Sequence, residues 1–580
     1  MEHHLTTYIT HDALISALGF GTQENLEAIR ACRSGITLQT DGRIADTPLL
    51  AATIPPEKLQ QQAEAAGLSG YTRMEQLFIL AINEVICQSG QTLDDPACGL
   101  ILSTTKGNID LLARHTEHPD EAVFLWKMAE TIADYFHAGE RVHVISNACI
   151  SGVSALITGK RMIENGIYRK VIVAGGDLLS PFITSGFRSF RSLSARLCRP
   201  YDSSRDGLNL GEACGAVLLS TKKTSDGIIL SGGAISNDAN HISGPSRTGD
   251  GLFFAIRQAM QEAGTVPQDI SFVNAHGTAT VYNDEMESKA LMLAHLEQVP
   301  AHSLKPYFGH TLGASGVIES IICMHQLKQG ILFGTPGYET LGVPMPITVC
   351  ATHQNIPMRH CVKTASGFGG CNAAIVLSLP ESFSAGAAPC VCPEHAIRCT
   401  REVRIEKQRV LLDNELVFHS EDSDFGTFIR EIYKGQGGNN LKFYKMDDLC
   451  KLGYVAAEYL LKDKAFAPQE TGVLLANAAS SLHTDIKHQQ GIDRDGDQAA
   501  SPAVFVYTLP NVVSGEICIR HKIQGENAFF ITRTYQPEQL ERYAHIVMEK
   551  GNLKHCLIGW CELLNNAYRA EFRLMEALPL

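Results

Sequence analysis

The sequence predicts an α/β protein built on parallel strands and layered with helices, and three observations carry that prediction. Residues 142–145 form an apolar run, followed by a turn, a helix-spaced stretch over 154–163 closed by Gly166, and a second apolar run at 171–174. Such a strand–helix–strand unit places its two strands parallel in one sheet. The alternation continues, with helical spacing over 253–263 before a strand at 270–274, then a helix over 314–328 and an apolar strand at 373–379. Finally, the order of elements between Gly99 and Gly175 is replayed near the other end of the chain.

The replay is read element by element. Gly99-Leu-Ile-Leu-Ser103 matches Gly472-Val-Leu-Leu-Ala476 at a separation of 373 residues. The strand at 142–145 with Ser151-Gly152 is matched to 505–507 with Ser514-Gly515 at 363. Ile163-Glu-Asn-Gly166 leading into Val171 matches Met548-Glu-Lys-Gly551 leading into Cys556 at 385. Upstream, Tyr71-Thr-Arg-Met-Glu-Gln-Leu77 and Tyr444-Lys-Met-Asp-Asp-Leu449 each open a helical run. The copy reproduces the first half of the earlier region only. The expected organisation is a layered domain over 1–382, a linker over 383–402 marked by Ser384, Gly386 and Pro389, and a partial copy over 403–580.

A length of 580 residues suits several folded units. Lys plus Arg number 49 against 62 Asp plus Glu, a net charge of −13, which argues against nucleic acid or an anionic membrane as the main partner. No apolar run approaches the ~18 residues of a membrane span. The start Met1-Glu2-His3-His4 does not read as a signal peptide, so a cytoplasmic location is expected. Of 17 cysteines, those in apolar runs (Cys214, Cys323, Cys556) read as packing residues. Cys390-x-Cys392-x-x-His395-x-x-x-Cys399 holds four potential ligands in the linker region, read as chance bunching with no metal assigned. The Gly-rich turns lack the spacing of dinucleotide or phosphate loops, so no cofactor is expected.

The chemistry centres on Cys149, in Asn147-Ala-Cys-Ile-Ser-Gly152, between a buried strand and the start of a helix. A helix N-terminus favours a thiolate, and the small residues that follow leave room for an acyl group. Two histidines occupy other sharp turns: His276 in Asn274-Ala-His-Gly-Thr278-Ala-Thr280, and His310 in Lys305-Pro-Tyr-Phe-Gly-His310-Thr-Leu-Gly313. One nucleophile and two imidazoles at element ends read as one site.

With Ser103-Thr-Thr-Lys-Gly107, Arg199-Pro-Tyr-Asp202, Arg205-Asp-Gly-Leu-Asn-Leu-Gly-Glu212 and Gly367-Phe-Gly-Gly370, these motifs resemble the elongating β-ketoacyl-acyl-carrier-protein synthases over about residues 7–380. The resemblance implies a thiolase-like α-β-α-β-α domain followed by an incomplete, degenerate half domain. It implies a decarboxylative Claisen condensation in which Cys149 takes an acyl group from an acyl carrier protein and malonyl carrier protein supplies the attacking carbanion. By the same resemblance His276 and His310 stabilise the enolate, and the backbone N–H groups of Cys149 and Phe368 form an oxyanion hole with Phe368 as gate. Thr278 and Thr280 bind the malonyl or pantetheine side, and Lys305 with Glu319 tunes the histidines. Homodimers through the strand near the nucleophile, or synthase-like heterodimers, are expected, and Arg188, Arg191 and Arg196 are candidates for docking the acidic carrier.

Two departures from the family pattern stand out. Ser366 and Cys371 replace an aromatic residue and Thr around the last Gly-rich motif, which suggests an altered acyl preference, such as a polyene or aryl starter. The half-copy, aligned through Ser514-Gly515, has Val512 in the place of Cys149 and is expected to be inert, with a structural or chain-length role. Alternatives are a thiolase using Cys371 as second thiol, and a non-catalytic chain-length-factor or scaffold partner.

Overall fold

A computed structural model describes residues 5–114, 120–382, 395–550 and 553–579. Its first sheet contains β1 (Tyr8–Ser16), β2 (Cys98–Ser103), β3 (Val142–Ile145), β4 (Lys170–Asp177) and β5 (Ala213–Ser220), in the order β3-β2-β4-β5-β1. The second contains β6 (Ile228–Asn237), β7 (Ile270–Asn274), β8 (Ala301–His302), β9 (His360–Gly367) and β10 (Cys371–Ser378), ordered β6-β10-β9-β7-β8. Helices α1 (Arg73–Ser89) and α2 (Leu125–Tyr135) cover the outer face of the first sheet. A Thr72/Glu75 capping box starts α1, and Gly90, at φ 64°, ends it.

Between the sheets lie α3 (Ser151–Glu164) and a second central helix, Ser315–Gln329, and both bury almost every residue. A helix buried all round needs no amphipathic stripe. The two cross at glycines: a Cβ on Gly152 would sit 2.9 Å from Gly316 Cα, and one on Gly316 only 2.2 Å from Val153 N. Helices Asp250–Ala263 and Val281–Leu293 close the far side of the second sheet, completing five layers.

The third set of strands is β11 (His395–Glu406), β12 (Thr471–Asn477), β13 (Asn527–Ile531), β14 (His555–Leu564) and β15 (Ala567–Pro579), ordered β13-β12-β14-β15-β11. This reproduces the first sheet strand for strand. Leu100 faces Val142 and Ile172, while Val473 faces Asn527 and Leu557. Both neighbours are therefore displaced by 385 residues, and the counterpart of β3 is β13. The match of 142–145 to 505–507 is corrected: 502–505 and 506–508 are short helical turns, and Ser514-Gly515 lies in a helix preceding β13, Val512–His521. Short apolar runs do not separate strand from buried helix, which is why the pattern misled. The residue in the place of Cys149 is accordingly Thr534, not Val512.

The copy keeps a carboxylate that caps the turn after β12. Asp177, ending β4, accepts the Thr105 N–H at 3.1 Å; Glu562, its counterpart on β14, accepts the Ala478 N–H at 2.6 Å. Among the described residues nothing repeats the second sheet after β15. Strand β11 begins at His395, inside the stretch read as linker, and pairs with β15. Cys390 and Cys392 lie outside the described residues; His395 and Cys399 are on β11, and among the described residues no cluster of metal-ligating side chains occurs.

The two parts share one surface of strand. Phe530 pairs with Ile145 and Ile531 with Val144, antiparallel, so β13 continues the first sheet beyond β3. Ile145 and Phe530 are counterparts that face each other, which places a local two-fold axis between them. β3 thus has β2 on one edge and β13 on the other, and the homodimer expected through this strand is blocked in cis. No single helix among the described residues is long and apolar enough to cross a membrane.

Candidate active site

Strand β3 delivers Cys149 through a sharp turn in which Ala148 adopts φ 48°. Ser151 fixes the turn, accepting the Asn147 N–H at 2.8 Å and donating to the Ala148 carbonyl at 2.6 Å. The appended half holds it from outside: Ser146 N–H donates to Phe529 O at 3.0 Å, and Asn147 Nδ2 to Asn527 O at 3.1 Å.

His310 Nε2 lies 3.1 Å from Cys149 Sγ, and the His276 ring stands 5.2 Å from the His310 ring at 87°. The three residues singled out in the sequence are thus brought together. His310 follows Gly309 at φ 69°, and its N–H donates to Asn209 O at 2.7 Å, which gives the Asn-Leu-Gly-Glu motif its positioning duty. His276 is placed by Glu287, whose carboxylate accepts the His276 and Gly277 N–H groups at 2.7 and 2.8 Å and the Tyr201 and Thr364 hydroxyls at 2.5 and 2.7 Å. Glu287 went unnoticed in the sequence because it sits mid-helix with no motif around it. Thr278 and Thr280 share a hydrogen bond of 2.8 Å beside this turn.

Behind the histidines Glu319 bridges two ammonium groups, Lys305 and Lys363, each at 2.6 Å, with all three side chains buried. Sequence reasoning found Lys305 and Glu319 but missed Lys363, whose strand pattern reads as apolar packing. Burial first, then Lys305, with Lys363 contributing less, holds His276 and His310 well below the ordinary imidazole range, so both are neutral. Against the cost of burial, the two lysines keep Glu319 ionised. Burial pushes the Cys149 thiol up to about 12, the reverse of the shift expected from the helix N-terminus. At rest Cys149 is a thiol beside a neutral imidazole.

Gly367 closes over Cys149, since a Cβ there would lie 3.1 Å from both Cys149 N and Cys371 Sγ. The Phe368 ring stacks on Phe187 at 6.2 Å and meets Phe190 at 5.4 Å, and Phe505 of the appended half approaches Phe187 at 5.6 Å. Asn511, also from that half, donates to Phe368 O at 2.8 Å. Neither residue was singled out in the sequence, because their relevance arises only from the docking of the two parts. Arg188 is turned to Asp497 at 2.7 Å and is not free for docking, whereas Arg191 and Arg196 are exposed and Arg196 pairs with Asp206.

Family models for the beta-ketoacyl synthase N-terminal and C-terminal domains match residues 50–225 and 228–339. A putative mitochondrial 3-oxoacyl-[acyl-carrier-protein] synthase of Schizosaccharomyces pombe is 30% identical over 258 residues, covering 40% of this chain and 60% of the relative. The chain spans 56–64% of the length of such curated relatives. Among solved structures, a ketosynthase (ApeO) in complex with its chain length factor (ApeC) from Xenorhabdus doucetiae is 26% identical. It has a TM-score of 0.58 over 65% of this chain and all of that one. A PfaC keto synthase–chain length factor structure shares the fold over 99% of this chain and 78% of its own, with TM-score 0.78 at 14% identity.

Proposed function

The chain belongs to the β-ketoacyl synthase family and has its thiolase-like α/β fold, and from that premise we propose that it condenses an acyl thioester with malonyl-acyl-carrier-protein to give 3-oxoacyl-acyl-carrier-protein. The observation that carries the reading is the 3.1 Å approach of His310 Nε2 to Cys149 Sγ beside a second buried neutral histidine. A scaffold protein has no need to keep that geometry.

In the first half-reaction His310 accepts the thiol proton as Cys149 attacks the acyl thioester carbonyl. The proton leaves with the pantetheine sulfur and the acyl group remains on Cys149 as a thioester. The backbone N–H groups of Cys149 and Phe368 hold the tetrahedral oxyanion. Malonyl carrier protein then loses CO₂, and the enolate oxygen is held by imidazole N–H groups of His276 and His310. A neutral imidazole is a poor acid, so the enolate is stabilised without being quenched. Its carbon attacks the acyl-Cys149 carbonyl, and collapse returns the cysteine sulfur and releases the 3-oxoacyl product. Thr278 and Thr280 lie on the malonyl side, with Lys305 and Lys363, both paired to Glu319, helping burial keep the histidines neutral.

The appended half is assigned the role of a built-in partner: an inert half domain that occupies the edge of β3 and walls the acyl pocket with Phe505. The aromatic wall of Phe187, Phe190, Phe368 and Phe505 favours a flat acyl group, such as a polyene or aryl chain, over a saturated one. An acyl carrier protein presenting the thioesters is the partner, and the cytoplasm the assigned location. Incubating the protein with a panel of acyl carrier proteins and malonyl carrier protein, with intact-mass detection, tests all of this. Acylation lost in Cys149→Ala and a 3-oxoacyl product are expected; no acylation by any carrier would return the chain to a scaffold role.

A further inference from the structure

A cavity of about 110 Å³ lies on the seam where β3 and β13 pair, between the end of α3 and the first turns of α4 (Pro537–Lys550). Val144, Met162 and Leu540 give it an apolar wall, and Gln536, Gln539 and Arg542 stand around it. None of these belongs to the acyl site.

The repeat explains why the cavity exists. At the displacement of 385 residues, Gln536, Gln539 and Arg542 stand where α3 carries Ser151, Ser154 and Ile157. Those three are buried, and Ile157 packs under the second sheet, 2.7 Å from where a Cβ on Gly233 would be. Among the described residues the appended half has no second sheet. Its helix therefore keeps this face open, with amides and a guanidinium in place of small or apolar side chains. Arg542 is exposed, and among the described residues it makes no ion pair, although it acts electrostatically on Tyr168 at the same cavity.

We propose that this cavity binds a small monoanionic amphiphile: a carboxylate on an aromatic ring or short alkyl chain, its body against Val144, Met162 and Leu540 and its head on Arg542 with the Gln536 and Gln539 amides. An apolar cavity of roughly 150 Å³ accepts a benzene ring, so one of this size that also opens outward accommodates a ring or short chain. Guanidinium and carboxylate match in charge and geometry. A phosphate dianion would call for a second cation, and the remaining basic group, His143, is kept neutral by burial, which pulls it down to about 4, and shares a 3.1 Å hydrogen bond with Tyr168.

Calorimetric titration of the full chain with 3-phenylpropanoate, after Cys149 has been alkylated to close the acyl site, tests the proposal. Binding is expected that weakens at least tenfold for 3-phenylpropanamide and for Arg542→Gln, and that disappears in Leu540→Phe, with unfolding midpoints close to the parent. Absence of heat at millimolar ligand, or an affinity indifferent to both substitutions, would overturn it. Should Leu540→Phe lower the unfolding midpoint, the surface change Arg542→Gln decides alone.

Discussion

The Asn511 side-chain amide donates to the backbone carbonyl of Phe368 at 2.8 Å, so the appended half holds the loop that closes over Cys149. Gly515, one turn further along, packs directly on the same loop: a Cβ there would lie 2.6 Å from Gly369 O. The oxyanion hole proposed for Phe368 N–H therefore depends on both parts of the chain.

Asn511→Ala is expected to lower the condensation kcat about tenfold while leaving the KM for malonyl carrier protein nearly unchanged. Losing an oxyanion donor outright costs about 10²–10³, and a loop that loses one anchor keeps part of its alignment. Asn511→Asp, which keeps the shape but cannot donate, should resemble the alanine variant. Full activity in both would remove Asn511 from any positioning role.

The histidines give a pH prediction with a definite sign. Lys305 follows burial as the cause that depresses His276 and His310. Replacing Lys305 by Met removes a positive neighbour, so both imidazoles protonate more readily and the acidic limb of the kcat profile moves to higher pH. Glu319 keeps Lys363 at 2.6 Å, so the carboxylate is not stranded. A profile whose acidic limb stays in place would show that burial alone keeps the histidines neutral.

Acid stability follows from the same physics. His143, His302 and His488 are lowered by burial to about 4, 3 and 4, and burial also holds His276 and His310 well below the ordinary imidazole range. Each binds a proton in the unfolded chain near pH 6.5 but not in the folded one. Their stabilising contribution is thus complete above about pH 6.5 and falls as pH drops toward 4, by about 1.4 kcal/mol per pH unit per histidine. Asp177, Asp238, Asp284 and Asp485, raised by burial to about 6, 6, 7 and 6, act in the opposite sense, so the histidine contribution is read by difference. Denaturant unfolding from pH 7.5 to 4.5 should show a smaller acid loss in His488→Gln than in the parent, and equal pH slopes in the two would contradict neutral burial of His488.

The first five layers were legible because their signals are local: an apolar strand, a turn and a helix start around Cys149, and glycine-rich turns at His276 and His310. The repeat was legible at Gly472 and Cys556, where glycine and apolar runs coincide, and misread at 505–507. There the deciding fact is that β13 pairs with β3, a contact between residues 385 positions apart that no local pattern encodes. Lys363, Glu287, Phe505 and Asn511 escaped for the same reason. Each looks like ordinary packing or surface in its own segment and becomes informative only beside its distant neighbour.

Phe505 offers the sharpest test of the substrate-shaping role proposed for the appended half. It is buried against Phe187, Phe190 and His488, and its ring would lie 2.2 Å from a Cβ placed on Gly186. Glycine at 186 is thus the residue that lets a ring from the other half enter this wall. Phe505→Ala would leave a cavity beside the gate and cost about 3 kcal/mol of stability, because rigid surroundings refill it only in part. If the aromatic wall limits the acyl chain, the variant should accept longer or bulkier acyl carriers than the parent, with Cys149 acylation by short chains slowed less than by the loss of Phe368. Gly186→Ala should act in the opposite sense, displacing Phe505 toward Phe187 and shortening the accepted chain. An acyl-carrier panel read by intact mass separates the outcomes: an unchanged length profile in both variants would make Phe505 a packing residue and leave chain selection to the catalytic half.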